Sequence, residues 1–247
     1  MGRLEFPPLK APRIVAIPIA FNEELKIGSV LDRFADVEGV DIAVLDDGST
    51  DRTPQIIVDK GAMLIQHGER GGAGAAIRTA YRWASERGYD ICVIMAGNDK
   101  DRPAEIFRLI QPITEGEAVL VQGSRYLPGG NYGNMPLYRR VSTQFIHPLL
   151  FSSFARQRMT DTTNGYRALR LAVLKDERLN LDQDWLDKYE LEPYLLYKLI
   201  RLGYAVREAP VTKIYPRKQL GYTKMKPITG WWSILRPILL LGFGLKK

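Results

Sequence analysis

The first half of this chain alternates short, almost continuously apolar runs with amphipathic helical patterns, and no other feature restricts the fold as much. The runs are Arg13–Ala20, Val40–Leu45, Met63–Gln66, Asp90–Met95 and Ala118–Gln122. Helical periodicity covers Glu24–Phe34, Thr53–Asp59, Ala73–Arg87 and Pro103–Ile113. Apolar β-branched runs bounded by turn residues predict strands buried on both faces. Their alternation with helices predicts an α/β fold, a mainly parallel Rossmann-like sheet flanked by helices. In such a sheet, ligands bind beyond the carboxyl ends of the strands. The second half is less regular. It reads as a helix over Leu137–Phe154, a short strand at Asn164–Arg170, a helix over Asp187–Leu202 closed by Gly203, and a strand at Tyr204–Val211.

Composition excludes some chemistries. A single cysteine, Cys92, and two histidines, His67 and His147, rule out a disulfide framework and a Cys- or His-rich metal cage. The charge is unevenly placed. The whole chain carries 35 basic and 28 acidic residues, yet Ala209 to Lys247 holds eight basic residues and no acidic one. Such asymmetry points to a polyanion or an anionic membrane surface. Trp231, Trp232 and the run Ile238–Leu241 favour the membrane over nucleic acid. The apolar stretch Ile228–Leu245 is broken by Arg236 and Pro237, so it does not read as a span of ~20 apolar residues. Nor does the amino terminus read as a signal peptide. The expectation is a catalytic domain over residues 1–226 followed by amphipathic, basic, membrane-associating helices over 227–247. A helix packed on the domain is the competing reading.

Polar motifs follow the strands. Asp46-Asp47-Gly48-Ser49-Thr50-Asp51 places acidic acceptors after the second strand, where they suit a nucleobase or simply cap the next helix. Arg70-Gly71-Gly72-Ala73-Gly74 opens a helix, as either a phosphate cradle or a site of close packing. After the fourth strand, Asn98, Asp99 and Asp101 offer the hard oxygen donors preferred by Mg²⁺ or Mn²⁺, although Asp101 also suits a helix cap. Arg125, Arg139 and Arg140 follow the fifth strand and suit phosphate oxygens.

These motifs, together with Asn22-Glu23 after Pro18, Gly123-Ser124-Arg125-Tyr126 and Asn164-Gly165-Tyr166-Arg167, occur in the order seen in family 2 glycosyltransferases of GT-A fold. The chain resembles the branch that includes dolichyl-phosphate mannose synthase and the bacterial polyprenyl-phosphate glycosyltransferases, over roughly Pro12 to Lys226. The resemblance implies a nucleotide-sugar donor held by Pro18, Phe21, Glu23, Asp46, Asp47, Gly72 and Asn98. It implies an acceptor phosphate held by Arg125, Arg139, Thr143, Arg217 and Lys224. It also implies a divalent ion on Asn98, Asp99 and Asp101, with Asp99, Arg125 and Arg139 catalytic, and peripheral placement on the cytoplasmic face of a membrane. There are departures. The family's Asp-x-Asp motif falls on Ala96 and Asn98, and Arg70 replaces the usual asparagine before the glycine-rich turn.

The chemistry narrows the acceptor. A sugar hydroxyl needs a general base, whereas a phosphate monoester with a second pKa of ~6 is already largely dianionic near neutrality. Transfer to a lipid phosphate therefore needs mainly cations, which this sequence supplies. The expected function is inverting transfer of a sugar from GDP-mannose or a UDP-hexose to dolichyl or undecaprenyl phosphate. Alternatives are transfer to a hydroxyl of a glycan or glycolipid, with Glu190 or Asp161 as base, and a non-catalytic membrane-surface module. A nucleotidyltransferase would want a lysine-bearing glycine-rich loop after the first strand, and Pro18–Glu24 has none.

Overall fold

The computed structural model describes residues 5–215 and 227–246. The apolar runs form strands close to their expected bounds: β1 (Ile14–Ala20), β2 (Asp41–Asp46), β3 (Met63–Gln66), β4 (Ile91–Ala96) and β5 (Leu120–Ser124), joined later by β6 (Arg167–Arg170) and β7 (Val206–Pro210). They build one seven-stranded sheet in the order β3-β2-β1-β4-β6-β5-β7. All neighbours are parallel except β6, which runs antiparallel between β4 and β5. Strand order reverses between β1 and β4, and a ligand crevice is expected beyond their carboxyl ends. Gly97 sits at that point. A Cβ there would lie 3.0 Å from the Ile19 carbonyl.

Helices cover both faces. On one side lie α1 (Ile27–Asp32), α2 (Thr53–Asp59) and α4 (Ile106–Thr114), with Ile27, Val30, Ile57, Ile106, Leu109 and Ile113 buried. On the other lie α3 (Ala73–Glu86), α6 (His147–Ala155), α7 (Leu191–Arg201) and α8 (Pro227–Gly242). A short α5 (Leu137–Val141) joins α6 through a π-helical turn, Ser142–Ile146, so residues 137–155 form the continuous helix expected there.

Two helices begin later than their periodicity suggests. Ahead of α1, the N–H groups of Asn22, Glu23 and Glu24 donate to Ser49 Oγ, Thr53 Oγ1 and Asp51 Oδ2. That stretch is stitched to the β2 loop instead of joining the helix. Ahead of α7, the Asp187 carbonyl accepts from the Ala75 N–H of α3 at 3.0 Å. Gly74 makes this contact feasible, because a Cβ would lie 1.8 Å from the Leu186 carbonyl.

The residues expected to leave the domain for the membrane form, where described, one helix running through Pro237. α8 buries Ile238 and Leu241 in the same core as α6 and α7. It approaches so closely that a Cβ on Gly242 would lie 2.4 Å from the Phe154 ring. No described helix is long and apolar enough to cross a membrane.

His147 carries a pH-dependent cost. It is buried, its Nδ1 has no hydrogen-bond partner, and burial lowers its pKa from 6.5 to about 4, with Asp161 opposing the shift. The folded state therefore binds the proton less well than the unfolded chain, and stability is full above 6.5 and lost as pH falls toward 4. Thermal melts of the wild type should show a loss of up to about 3 kcal/mol across that window, and His147→Leu should remove most of the slope.

Candidate active site

The side of the crevice formed by β1 and β2 is built by carboxylates that hold backbone. Asp46, fully buried, accepts from the Ser49 N–H at 3.0 Å and from the Ser49 hydroxyl, closing the turn after β2. Asp47 accepts from the N–H groups of Gly71 at 2.9 Å and Gly72 at 3.0 Å, and meets His67 Nδ1 at 2.9 Å. The Gly71 and Gly72 N–H groups are thus spent on an internal carboxylate rather than left for a phosphate. Gly72 adopts φ +101, and a Cβ there would lie 2.6 Å from the Asp187 carbonyl. Phe21 packs beneath the Arg70 guanidinium at 4.2 Å, which gives the position its own use for arginine. Glu23 is buried and pairs with Lys26 at 3.0 Å. Pro18 lies within β1 opposite Met95.

After β4 the three expected metal ligands part company. Asp99, at φ +57, is gripped by Arg33 through Nε at 2.8 Å and Nη2 at 3.3 Å. Asp101 is buried. It accepts from the Ala96 N–H at 3.0 Å and from Lys213 Nζ at 2.6 Å. Asn98 Oδ1 is buried without a partner. Among the described residues there is no group of three His, Cys, Asp or Glu side chains placed to hold a metal ion.

The other side of the crevice is cationic and centres on Tyr215. Arg125 Nη1 donates to the Tyr215 hydroxyl at 3.3 Å, Arg139 lies 5.3 Å from the centre of its ring, and Lys100 Nζ lies 4.9 Å from it. Lys100 is buried, and burial together with Lys213, Arg139 and Lys26 lowers its pKa to about 7 against the pull of Asp101. An entering anion would restore its full charge. Thr143, in the π turn, shares a 2.5 Å hydrogen bond with the Tyr126 hydroxyl. Arg125 is more structural than its motif suggests. Its Nε and Nη2 engage Asp161 at 2.6 and 2.8 Å, and its backbone N–H donates to the same carboxylate at 3.1 Å. Burial alone would lower the guanidinium pKa, but Asp161 outweighs it and holds the arginine above its usual range. Arg217 and Lys224 lie outside the described residues, as does the side chain of Trp231.

Lys100, Lys213 and Tyr215 are not among the expected site residues. Lys100 stands inside the acidic loop after β4, and a lysine among three oxygen donors is the available signal. Lys213 and Tyr215 reach the site because the segment after β7 pairs with that loop, with the Ile214 N–H donating to the Lys100 carbonyl at 2.9 Å. Only topology brings them there.

Comparison with known proteins bears on family and fold. The model of the family "Glycosyl transferase family 2" matches residues 15–178. An undecaprenyl-phosphate mannosyltransferase from Micrococcus luteus is 29% identical over 221 residues, covering 86% of this chain and 87% of that protein. A polyprenol monophosphomannose synthase from Mycolicibacterium smegmatis is 32% identical over 220 residues, covering 86% and 80%. In fold, the chain is similar to glucosyl-3-phosphoglycerate synthase from Mycobacterium tuberculosis, solved with Mn²⁺, UDP and its product, at a TM-score of 0.65. Identity is 21%, with 100% of this chain and 88% of the other covered.

The Asp47 geometry separates two roles. A residue that only touched ligand could be removed without cost to the fold. Asp47→Ala instead strands the Gly71 and Gly72 N–H groups, so it should lower stability by about 1–3 kcal/mol as well as weaken nucleotide binding. Thermal melts and calorimetric titration with UDP and GDP would read both effects.

Proposed function

The chain belongs to glycosyl transferase family 2 and is a glycosyltransferase of GT-A fold, and from that premise we propose that it moves a sugar from a nucleotide sugar to a polyprenyl phosphate at a membrane surface. The donor would be GDP-mannose or a UDP-hexose. Two relatives are named for polyprenyl-phosphate chemistry, which supports the acceptor class.

One observation carries the reading: the two faces of the helix over residues 137–155. Arg139 faces the Tyr215 cluster, and Thr143 and His147 are buried beside it along the helix. Two residues out of phase, Leu137, Val141, Phe145 and Leu149 are all exposed, with Leu137 at 73%, Phe145 at 60% and Leu149 at 69%. Tyr138 and Ile146 widen the stripe. A helix with cations and hydroxyls inward and a row of exposed apolar side chains outward suits a phosphate arriving on a lipid. The enzyme is then peripheral, held by this stripe with Trp232, Phe243 and Leu245, which are also exposed.

The transfer itself needs few parts. An acceptor phosphate oxygen forms the new bond to the sugar's anomeric carbon from the side opposite the nucleoside diphosphate. The old carbon–oxygen bond breaks, its electron pair leaves on the diphosphate, and configuration inverts. No proton need be removed from a phosphate dianion. The chain's task is to hold two anions close together, and Arg139 and Lys100 at the Tyr215 ring would do so, with Arg125 fixing the Tyr215 hydroxyl.

The family resemblance implies a divalent ion on Asn98, Asp99 and Asp101. The donor set does not fit one. Asp101 is buried on Lys213, Asp99 is held by Arg33, and Asn98 brings no charge. Transfer to a sugar hydroxyl has one observation in its favour: Glu190 is buried with Oε2 unpartnered, as a base would be. Asp161 is committed to Arg125 and does not suit that role.

Two measurements test the acceptor. Arg139→Ala should lower transfer to polyprenyl phosphate by about 10²-fold or more while leaving nucleotide affinity within about threefold. A wild-type rate in that variant would sink the lipid-phosphate reading. Phe145→Glu with Leu149→Glu should abolish sedimentation with anionic liposomes and leave the melting temperature unchanged, since both side chains are exposed. This is a cleaner test than removing α8, whose loss would open the core at Ile238 and Leu241.

A further inference from the structure

The loop after β4 holds its carboxylates in pairs and presents a lysine. Asp101 is shielded twice over, by the Ala96 N–H and by Lys213, and its side chain is fully buried. Asp99 is the one carboxylate of the loop that a ligand reaches without breaking a buried ion pair, and it is matched by Arg33. Asn98 contributes a buried oxygen without charge. A divalent ion drawn to this loop would meet Asp99 with its Arg33 and the pairs Asp101–Lys213 and Glu23–Lys26, together with Lys100 and Arg139, whose charge acts on Lys100. Hard divalent ions are held by oxygen ligands, often one or two carboxylates together with the substrate's phosphates; here each carboxylate is matched by a cation and Lys100 and Arg139 add positive charge, so the local field favours an anion.

We propose that Lys100 takes the place of a divalent cation at this loop and itself binds the diphosphate of the nucleotide sugar. This rests on the donor reading given above. Lys100 is held for the task. Its carbonyl accepts from the Ile214 N–H at 2.9 Å, and its ammonium lies 4.9 Å from the centre of the Tyr215 ring that also gathers Arg139 and Arg125. The loop stands at the carboxyl end of β4, next to the reversal of strand order where the ligand crevice lies. As the anomeric carbon–oxygen bond breaks, the electron pair passes to a diphosphate oxygen, and the Lys100 ammonium stabilises that charge by a donated hydrogen bond while keeping its proton. Asp101 then acts as a positioning residue, fixing the loop to the segment after β7 through Lys213 and so setting where Lys100 points.

The test reads binding rather than turnover. Wild type and Lys100→Met are titrated calorimetrically with UDP and GDP, in excess EDTA and in excess Mn²⁺, and Mn²⁺ bound to the wild-type complex is counted by electron paramagnetic resonance. The expected result is a wild-type diphosphate affinity that changes less than about threefold between EDTA and Mn²⁺, with no ion retained by the complex. Lys100→Met should lose about tenfold or more in affinity for the diphosphates and bind the parent nucleoside as before. Affinity that falls about tenfold or more in EDTA, or a Lys100→Met protein that binds diphosphate like the wild type, would overturn the proposal. Should Lys100→Met fail to melt cooperatively, the EDTA comparison and the Mn²⁺ count on the wild type decide alone. Binding that requires metal defeats this inference and leaves the glycosyltransferase reading standing. A wild type that binds neither UDP nor GDP in either condition defeats both.

Discussion

The ion pair between Arg125 and Asp161 is the joint on which the cationic side of the crevice depends. It ties the end of β5 to the segment that turns the chain back into β6, and Arg125 reaches from there to the Tyr215 hydroxyl beyond β7. Both side chains are essentially unexposed, so each loses its hydration on folding. Such a cost is offset only by near-ideal geometry and further hydrogen bonds. Both are present. The pair is bidentate, Thr163 takes another guanidinium N–H at 2.7 Å, and the Glu208 carboxylate on β7 holds the Thr160 and Asp161 N–H groups. Burial pushes the Glu208 carboxyl up, so this cap is itself kept in place against a desolvation penalty. Charge and hydrogen bonds thus add to the sheet pairing and apolar packing that hold three separate stretches of chain together.

From that joint the crevice divides into unlike halves. Around β1 and β2, negative charge is turned inward. Asp46 and Asp51 accept from backbone N–H groups of their own loop, and Asp47 from those of the turn after β3, so all three act as internal anions that hold backbone. Around β4, β5 and β7, the carboxylates Asp101 and Asp161 are neutralised by Lys213 and Arg125, and further cations remain beside them. The result is one half in which carboxylates hold backbone and another in which Lys100, Lys213, Arg125 and Arg139 gather.

Much of this architecture is legible in the residues. The nearly unbroken apolar runs become five strands because strands buried on both faces carry little else, and Ala73–Glu86 is a helix because its buried residues, Ala76, Ile77, Ala80, Tyr81 and Ala84, recur at helical spacing. The antiparallel placing of β6 is not legible, since a four-residue strand does not encode its neighbours. Nor are the partners of the motif residues. Asp47 reads as a ligand acceptor until the distant Gly71 and Gly72 are brought to it, and Arg125 reads as a phosphate clamp until Asp161 arrives from 36 residues away. A charged residue near a strand end announces polarity but not its partner. The same limit applies to Ile238 and Leu241, where apolar character announces burial without saying whether core or lipid provides it.

The helix over residues 137–155 shows how one local irregularity serves two surfaces. Facing outward, an unbroken four-residue spacing aligns Leu137, Val141, Phe145 and Leu149 in an exposed row. Facing inward, the chain has to deliver Arg139 to Tyr215, Thr143 to Tyr126, and then Phe151 and Ala155 to the core under α7 and α8. The π-helical turn Ser142–Ile146 lies between these two inward tasks. A wider turn of this kind rotates the downstream helix and frees local hydrogen-bonding groups. Here the Thr143 hydroxyl donates to the Arg139 carbonyl at 2.9 Å, tying down the backbone of the residue whose guanidinium lies against Tyr215. A regular helix would keep either the core contact of Phe151 or the approach of Arg139 to Tyr215 in register, but the two sit on opposite sides of the turn. One helix thus carries both the exposed apolar row and the arginine that joins the cation cluster.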